Sequence, residues 1–193
     1  MKKGIFLDRD GVINHNVWNS DTQGYESPHL VQDFRFLPGV LEALKTLQNE
    51  GYLLFIVSNQ PSYAKGKTTL ESLQEIHEYM HDQFLKENIQ FSDYYYCYHH
   101  PEGIAPEYSI VCSCRKPSSY FLERAEEDHG ISLMSSWMVG DRDTDVWCGQ
   151  NAGTRTIQIK EIENSAQFGK SKPDHFCGNL AEAAVIILNS YHT

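Results

Sequence analysis

Asp8 and Asp10 stand two residues apart at the end of a short apolar run, in Phe6-Leu7-Asp8-Arg9-Asp10-Gly11-Val12. In extended backbone, residues two apart point to the same side. Two carboxylates so placed repel, and a cation is needed to relieve them. A second run, Trp137–Val139, ends in the same way, in Gly140-Asp141-Arg142-Asp143-Thr144-Asp145. Oxygen-only ligands at strand ends suit magnesium rather than a soft metal. A third run ends in Val57-Ser58-Asn59-Gln60, a hydroxyl followed by two amides, suited to binding an anion. Arg115-Lys116-Pro117 brings positive charge to the start of a helix, a favourable place for phosphate. An isolated D-x-D is usually a solvated turn. Four such pieces, each at a strand end or helix start and in a consistent order, point instead to one phosphate-handling site.

The cysteines define a second centre. Three of the five lie in one segment, as Cys97-Tyr98-His99 and Cys112-Ser113-Cys114. Three thiolates and an imidazole make a Cys3His set, which a closed structural zinc site uses. Chance clustering of buried thiols is the plainer alternative. The odd count argues against a secreted disulfide framework. Cys148 and Cys177 have no such company and read as reduced core residues.

The elements that must position these groups alternate between strand and helix, as in a doubly wound parallel sheet. Strands are expected at Gly4–Leu7, Tyr52–Val57, Tyr94–Cys97, Trp137–Val139 and Thr156–Ile159. Helices are expected at Val40–Glu50, behind a Thr68-x-x-Glu71 capping box, at Ser119–His129, at Thr144–Asn151, and from an Asn179/Glu182 cap to Asn189. His77-Glu78-Tyr79-Met80-His81 has the H-E-x-x-H spacing of a zinc protease, but the stripe Leu73, Met80, Phe84 explains it as helix packing. Tyr94-Tyr95-Tyr96 reads as a strand with one aromatic face inward. Lys65 and Lys67 are equally readable as phosphate-facing or solvated.

The chain has 193 residues, 40% of them hydrophobic, with 16 Lys+Arg against 26 Asp+Glu and a net charge of −10. That size suits one domain, residues 1–193, with the zinc loop inside 97–114. The charge excludes a general nucleic-acid binder, while a local cationic cluster can still hold a small phosphorylated substrate. No apolar run approaches the roughly 18 residues that cross a bilayer. After Met1-Lys2-Lys3, Asp8 interrupts any signal-like apolar region. A cytoplasmic monomer with no membrane or nucleic-acid partner is expected.

The order DRDGVIN, SNQ, RKP, GDRDTD resembles the haloacid dehalogenase superfamily of phosphatases, over about Gly4 to Ile159. The inserted Cys97-x-His99 and Cys112-x-Cys114 are similar to a narrower branch, which holds heptose 1,7-bisphosphate phosphatases and histidinol phosphatases. Twelve residues separate His99 from Cys112, beginning His99-His100-Pro101-Glu102-Gly103. That loop looks like the heptose enzymes, whereas GDRDTD looks somewhat like the histidinol motif. Pro61-Ser62-Tyr63-Ala64-Lys65-Gly66 departs from the Ser-Gly-Ile-Ala-Arg-Gly-like loop more usual in heptose enzymes.

The resemblance implies an α/β fold without a large cap, and a magnesium-dependent phosphatase. Its expected substrate is D-glycero-D-manno-heptose 1,7-bisphosphate, cut at the 7-position in nucleotide-heptose synthesis for a surface polysaccharide. Asp8 would be the nucleophile and Asp10 the acid and base. Asp8, the Asp10 carbonyl and Asp141 would hold magnesium, with Asp145 supporting them. Ser58 and Lys116 would hold the transferring phosphoryl group. Asn59, Gln60, Arg115 and Arg142 would bind the rest of the substrate, and Asp143 would be a solvated turn residue. Cys97, His99, Cys112 and Cys114 would hold zinc, fixing the loop that delivers Arg115 and Lys116. Histidinol-phosphate phosphatase, or a zinc-stabilised binding protein that no longer catalyses, are the alternatives at this stage.

Overall fold

A computed structural model describes residues 1–160 and 169–190. Its main sheet has six parallel strands in the order β5-β4-β1-β6-β7-β8. These are β1 (Lys3–Leu7), β4 (Tyr52–Asn59), β5 (Phe91–Cys97), β6 (Trp137–Gly140), β7 (Arg155–Ile159) and β8 (His175–Cys177). The intervening helices are α1 (Val40–Asn49), α2 (Leu70–Lys86), α3 (Tyr120–His129), α4 (Asp143–Ala152) and α5 (Leu180–Asn189). After β1 the chain builds outward on one side through β4 and β5, then crosses to the other through β6, β7 and β8. The direction of winding therefore reverses around β1, and ligands of open α/β sheets bind at the carboxyl ends of the strands at such a point.

Both sheet faces are covered, which is why the central strands read as unbroken apolar runs. Along β1, Ile5 and Leu7 enter one core while Phe6 enters the other. β4 repeats this with Leu54 and Ile56 against Phe55 and Val57, and β6 with Trp137 and Val139 against Met138. The first core takes Leu44 of α1, Met80 of α2 and Ile187 of α5. The second takes Leu122 of α3 and Cys148 of α4. Tyr94 and Tyr96 pack on the first core and Tyr95 on the second, so this strand has aromatics on both faces rather than one. His77 and His81 each place Nδ1 at a tyrosine hydroxyl, of Tyr96 at 3.1 Å and Tyr94 at 2.9 Å. They are packing partners of β5.

The elements follow the sequence expectations with four corrections. β5 begins at Phe91, three residues before the tyrosines. Short strands were missed: β8, and a hairpin of β2 (Val17–Asn19) and β3 (Gly24–Glu26) between β1 and α1. Cys177, on edge strand β8, is half-buried rather than in the core. The cap of α2 is Thr69, whose side chain accepts from Ser72 N at 3.1 Å; Thr68 donates instead to the His29 carbonyl. The expected Asn179 cap of α5 is present, and Glu182 reaches back to Gly178 N and Asn179 Nδ2.

Loss of the cap hydrogen bond in Thr69→Ala is expected to lower stability by about 1 kcal/mol, with Thr68→Ala costing less. Urea midpoints of the two variants check the order; the reverse order would place the cap at Thr68.

Candidate active site

Three carboxylates converge where β1 and β6 end. Oxygens of Asp8, Asp141 and Asp145 all lie within 4.8 Å of one another. The backbone lets them approach. Gly11, at φ 84°, passes so near Asp141 that a Cβ there would sit 2.5 Å from its Oδ2. Gly140 leaves room for Asp145, whose Cβ would otherwise be 2.1 Å from a Cβ at 140. Into this group reaches the buried Lys116, with Nζ 2.9 Å from Asp8 Oδ1, 2.6 Å from Asp145 Oδ1, and donating to the Val57 carbonyl at 2.7 Å. Burial works against the ammonium, but Asp145 and Asp8 outweigh it and hold Lys116 above its ordinary pKa.

One ammonium does not balance three carboxylates. Burial, then the charges of Asp8 and Asp145, push Asp141 well above the usual carboxylate range. Asp141 Oδ1 is buried with no hydrogen-bond partner among the described residues. An unpartnered carboxylate oxygen beside Asp8, in an all-oxygen donor set, fits a hard divalent cation such as magnesium. Asp145 is already held by Lys116 and by Arg142 N–H at 3.0 Å.

Asp10 has a different environment. Its Oδ1 accepts from Asn14 Nδ2 at 2.9 Å and from Arg9, and its Oδ2 accepts from Gln60 Nε2 at 2.6 Å and Ser27 Oγ at 3.0 Å. Burial alone would raise its pKa. The Arg9 guanidinium and the side chains of Asn14, Gln60 and Ser27 reverse this and lower it. Arg9 is fully enclosed and also donates to Gln60 Oε1 at 2.9 Å.

A cavity of about 1180 Å³ opens over these groups, large enough for a sugar carrying two phosphates. Asp8, Asp10, Lys116 and Asp141 line it, as do Asn59, Arg115 and Arg142. Four sequence expectations need correction in detail. Gln60 is not at the cavity surface: it is 1% exposed, and its amide bridges Asp10, Ser58 and Arg9. Ser58 lies beside it, 2% exposed, accepting from Gln60 at 3.0 Å. The Asn59 amide clasps the Lys116 backbone, accepting from its N–H at 3.0 Å and donating to its carbonyl at 3.1 Å. Asp143 is not a solvated turn residue, for its carboxylate accepts from Lys170 N at 2.6 Å and from Ser171. Arg142 is largely exposed, with Nε 3.8 Å from Asp141 Oδ2.

In a fold without a large cap, the segment Asn14–Asp33, the loop Pro61–Lys67 and the thiol loop are expected to shape the pocket. The cavity wall does include Trp18, Tyr25, Glu26 and Ser27 of the first, although none of these four stood out individually in the sequence. Glu26 pairs with Lys67 and accepts from Thr22 and Asn19; these contacts overcome its partial burial and bring its pKa down to about 2. Lys65 lines the cavity, exposed, with no ion pair among the described residues.

The thiol cluster lies in the same loop as Arg115 and Lys116. Cys97 Sγ is 3.5 Å from Cys112 Sγ and 3.8 Å from His99 Nδ1, and Cys114 Sγ is 3.4 Å from Cys112 Sγ and 3.5 Å from His99 Nδ1. These separations are too long for a disulfide. They match the edges of a tetrahedron whose centre is about 2.0–2.3 Å from each ligand, as zinc requires. Burial pushes the Cys97 thiol upward, so a cation is what would hold it as a thiolate. The Arg115 guanidinium donates to the His99 carbonyl at 3.2 Å, tying it to the cluster.

Removing the Lys116 ammonium strands buried carboxylates against one another. Lys116→Met is therefore expected to lose about 3 kcal/mol of stability near pH 8. The loss should shrink as the solution is acidified from pH 8 to pH 5, because Asp141 and Asp145, both raised, take up protons before ordinary carboxylates do. Urea unfolding at the two pH values measures it; a loss independent of pH would mean that packing, not charge, is what Lys116 provides.

Comparison with known proteins agrees with this geometry. The HAD-hydrolase-like family matches residues 113–183. The chain is 36% identical over 184 residues to a D-glycero-beta-D-manno-heptose-1,7-bisphosphate 7-phosphatase of Haemophilus ducreyi, covering 94% of this chain and 96% of the relative. It is 34% identical over 151 residues to the D-glycero-alpha-D-manno counterpart of Photorhabdus laumondii, with 78% of each chain covered. The crystal structure of the D,D-heptose 1,7-bisphosphate phosphatase of B. bronchiseptica, complexed with magnesium and phosphate, superposes with a TM-score of 0.81 at 25% identity, covering 98% of this chain and 99% of that one. With its carboxylates gathered at the strand ends and its similarity running the length of the fold, the chain belongs to the haloacid dehalogenase-type heptose-1,7-bisphosphate 7-phosphatases.

Proposed function

We propose that the chain hydrolyses the 7-phosphate of D-glycero-D-manno-heptose 1,7-bisphosphate, leaving the 1-phosphate, as a single catalytic domain. The observation that carries this is the placing of Asp8: it sits at the end of β1 on the cavity floor, beside the Lys116 ammonium and the unpartnered Asp141 oxygen.

Asp8 attacks phosphorus, and the bond from phosphorus to the sugar oxygen breaks, its electron pair leaving on that oxygen. Asp10 supplies the proton the oxygen needs. The network around Asp10 favours its ionised form, and an arriving phosphate adds negative charge nearby that moves it back toward protonation. Water then attacks phosphorus in the aspartyl phosphate while Asp10 takes its proton; the bond between phosphorus and the Asp8 oxygen breaks, its electron pair returning to the carboxylate, and inorganic phosphate leaves. Lys116 holds the phosphoryl oxygens from the cavity floor, while Ser58, enclosed behind it, supports Gln60. Asp8, the Asp10 carbonyl and Asp141 would hold magnesium, whose charge offsets repulsion between carboxylate and phosphate.

The second phosphate needs cations other than Lys116. Lys67 is paired with Glu26, and Arg115, Lys65 and Arg142 also line the cavity. Arg115 is fixed by the His99 carbonyl and presents a planar fork suited to phosphate. Histidinol phosphate would need a carboxylate for its amine. Among the described lining residues away from the catalytic floor, the acidic ones are Glu26 and Asp143, and both are engaged, by Lys67 and by the 170–171 backbone. The sugar reading is favoured on that ground.

Phosphate release from a sugar 1,7-bisphosphate, its 1- and 7-monophosphates and histidinol phosphate tests the reading. Wild type should prefer the bisphosphate, and Asp8→Asn should lose several orders of magnitude in turnover while remaining folded. Arg115→Ala should cost the bisphosphate roughly 2–4 kcal/mol in kcat/KM and the 7-monophosphate far less. Preference for histidinol phosphate would overturn the substrate, and equal loss on every substrate would remove the anchor role of Arg115.

Zinc at Cys97, His99, Cys112 and Cys114 would be structural, since four protein ligands close the site. About one zinc per chain should copurify, and Cys112→Ser should lower both the melting temperature and activity. A zinc-free preparation with unchanged melting would rule out the Cys3His site.

A further inference from the structure

The hairpin brings two aromatic side chains to the wall of the active-site cavity. Trp18 and Tyr25 are directly paired across β2 and β3, with ring centroids 5.2 Å apart in an edge-to-face arrangement. They are the exposed members of the two strands, 51% and 53% accessible, and both line the cavity. Among its described lining residues they are the aromatic ones, in a wall otherwise dominated by charged and polar groups. An exposed aromatic pair contributes little to packing within the protein, and its free faces suit an apolar ligand surface.

The position of the pair is fixed relative to the chemistry. Two residues after Tyr25, Ser27 donates to Asp10 Oδ2. Two residues of extended chain span about 7 Å. Asp10 must reach the oxygen of the departing alcohol, and the backbone of Tyr25 lies within about 7 Å, roughly the size of a sugar ring, of the residue that binds Asp10. Glu26, between Tyr25 and Ser27, pairs with Lys67 and accepts from Asn19 and Thr22, so the hairpin is fastened both to the loop after β4 and across its own turn.

We propose that Trp18 and Tyr25 form the surface on which the sugar ring of the leaving group packs, through the apolar C–H face of the ring, and that they set the preference for a sugar over a small alkyl or acyl group. This rests on the sugar bisphosphate reading above. The pair takes no part in proton or phosphoryl transfer. It determines specificity, acting on how the leaving group is held.

The test compares wild type with Trp18→Val, Tyr25→Val and Trp18→Phe on a sugar 1,7-bisphosphate and on acetyl phosphate. Valine removes the ring and keeps strand propensity, so the hairpin is retained. Each valine variant should raise KM for the sugar substrate about tenfold with kcat within about threefold. Acetyl phosphate kinetics and inhibition by inorganic phosphate should stay within twofold, which a collapsed hairpin pulling on Ser27 and Asp10 would not allow. Trp18→Phe should recover most of the sugar KM. In wild type, binding of the sugar 1-phosphate product should quench tryptophan emission, and this quench should vanish in Trp18→Phe. Wild type that hydrolyses the sugar bisphosphate while both valine variants keep its KM would overturn the aromatic proposal and leave the substrate reading intact. Parallel losses on both substrates would also overturn it, showing a structural role for the pair. Wild type that cleaves acetyl phosphate but no sugar phosphate would remove the substrate reading and the proposal together.

Discussion

Crowding of like charge at the ends of β1 and β6 organises the catalytic half of the molecule. Asp8, Asp141 and Asp145 are brought closer than three carboxylates tolerate in a poorly solvated place. Lys116 answers part of the repulsion and must be delivered from a distant loop. Much of the surrounding structure serves that delivery. The Asn59 amide holds the Lys116 backbone on both sides, the Val57 carbonyl accepts from its Nζ, and the thiol cluster tethers the loop that brings it. The charge left over is what makes the site a receptor for a cation and, with it, for phosphate.

Asp10 shows how the same residue type takes another role a few ångströms away. It faces an amide, a hydroxyl, a second amide and a guanidinium, where Asp141 faces two carboxylates. One is pulled down and the other pushed up. Paired acids whose surroundings separate their proton affinities are suited to divided labour, one to move protons and one to hold a cation.

The parts legible in the sequence are those where burial dictates composition. β1, β4 and β6 are covered on both faces, so their apolar runs stand out, and the polar residues that end them mark the ligand side of the sheet. The cysteine and histidine spacing was readable because few residue types ligate zinc. The hairpin was not readable. Three-residue strands carry almost no periodic signal, and the contact that fastens the hairpin to the loop after β4, Glu26 with Lys67, spans forty-one positions. Gln60 and Asn59 were recognised as polar groups near an anion, but an amide serves a carboxylate, a backbone or a ligand equally well, and only the packing decides which. Arg9 and Asn14 lay within the motif that identified the family, and their contact with Asp10 needed the tight turn at Gly11 to become visible.

The floor of the cavity and its walls come from differently constrained parts of the chain. The floor sits on adjacent parallel strands whose spacing is set by backbone hydrogen bonds, and each of its groups touches two or three others. The walls are three inserts, the β2–β3 hairpin, the loop after β4 and the loop that carries the thiol cluster, joined by contacts such as Glu26 to Lys67 and Ile104 N to the Ala64 carbonyl. Mutational tolerance should therefore be sharply divided by depth. An insert can lengthen, shorten or exchange its side chains while the carboxylates beneath keep their places, so a lineage can explore new leaving groups without rebuilding its chemistry. In this chain the hairpin and the Pro61–Gly66 loop lie in that adjustable layer.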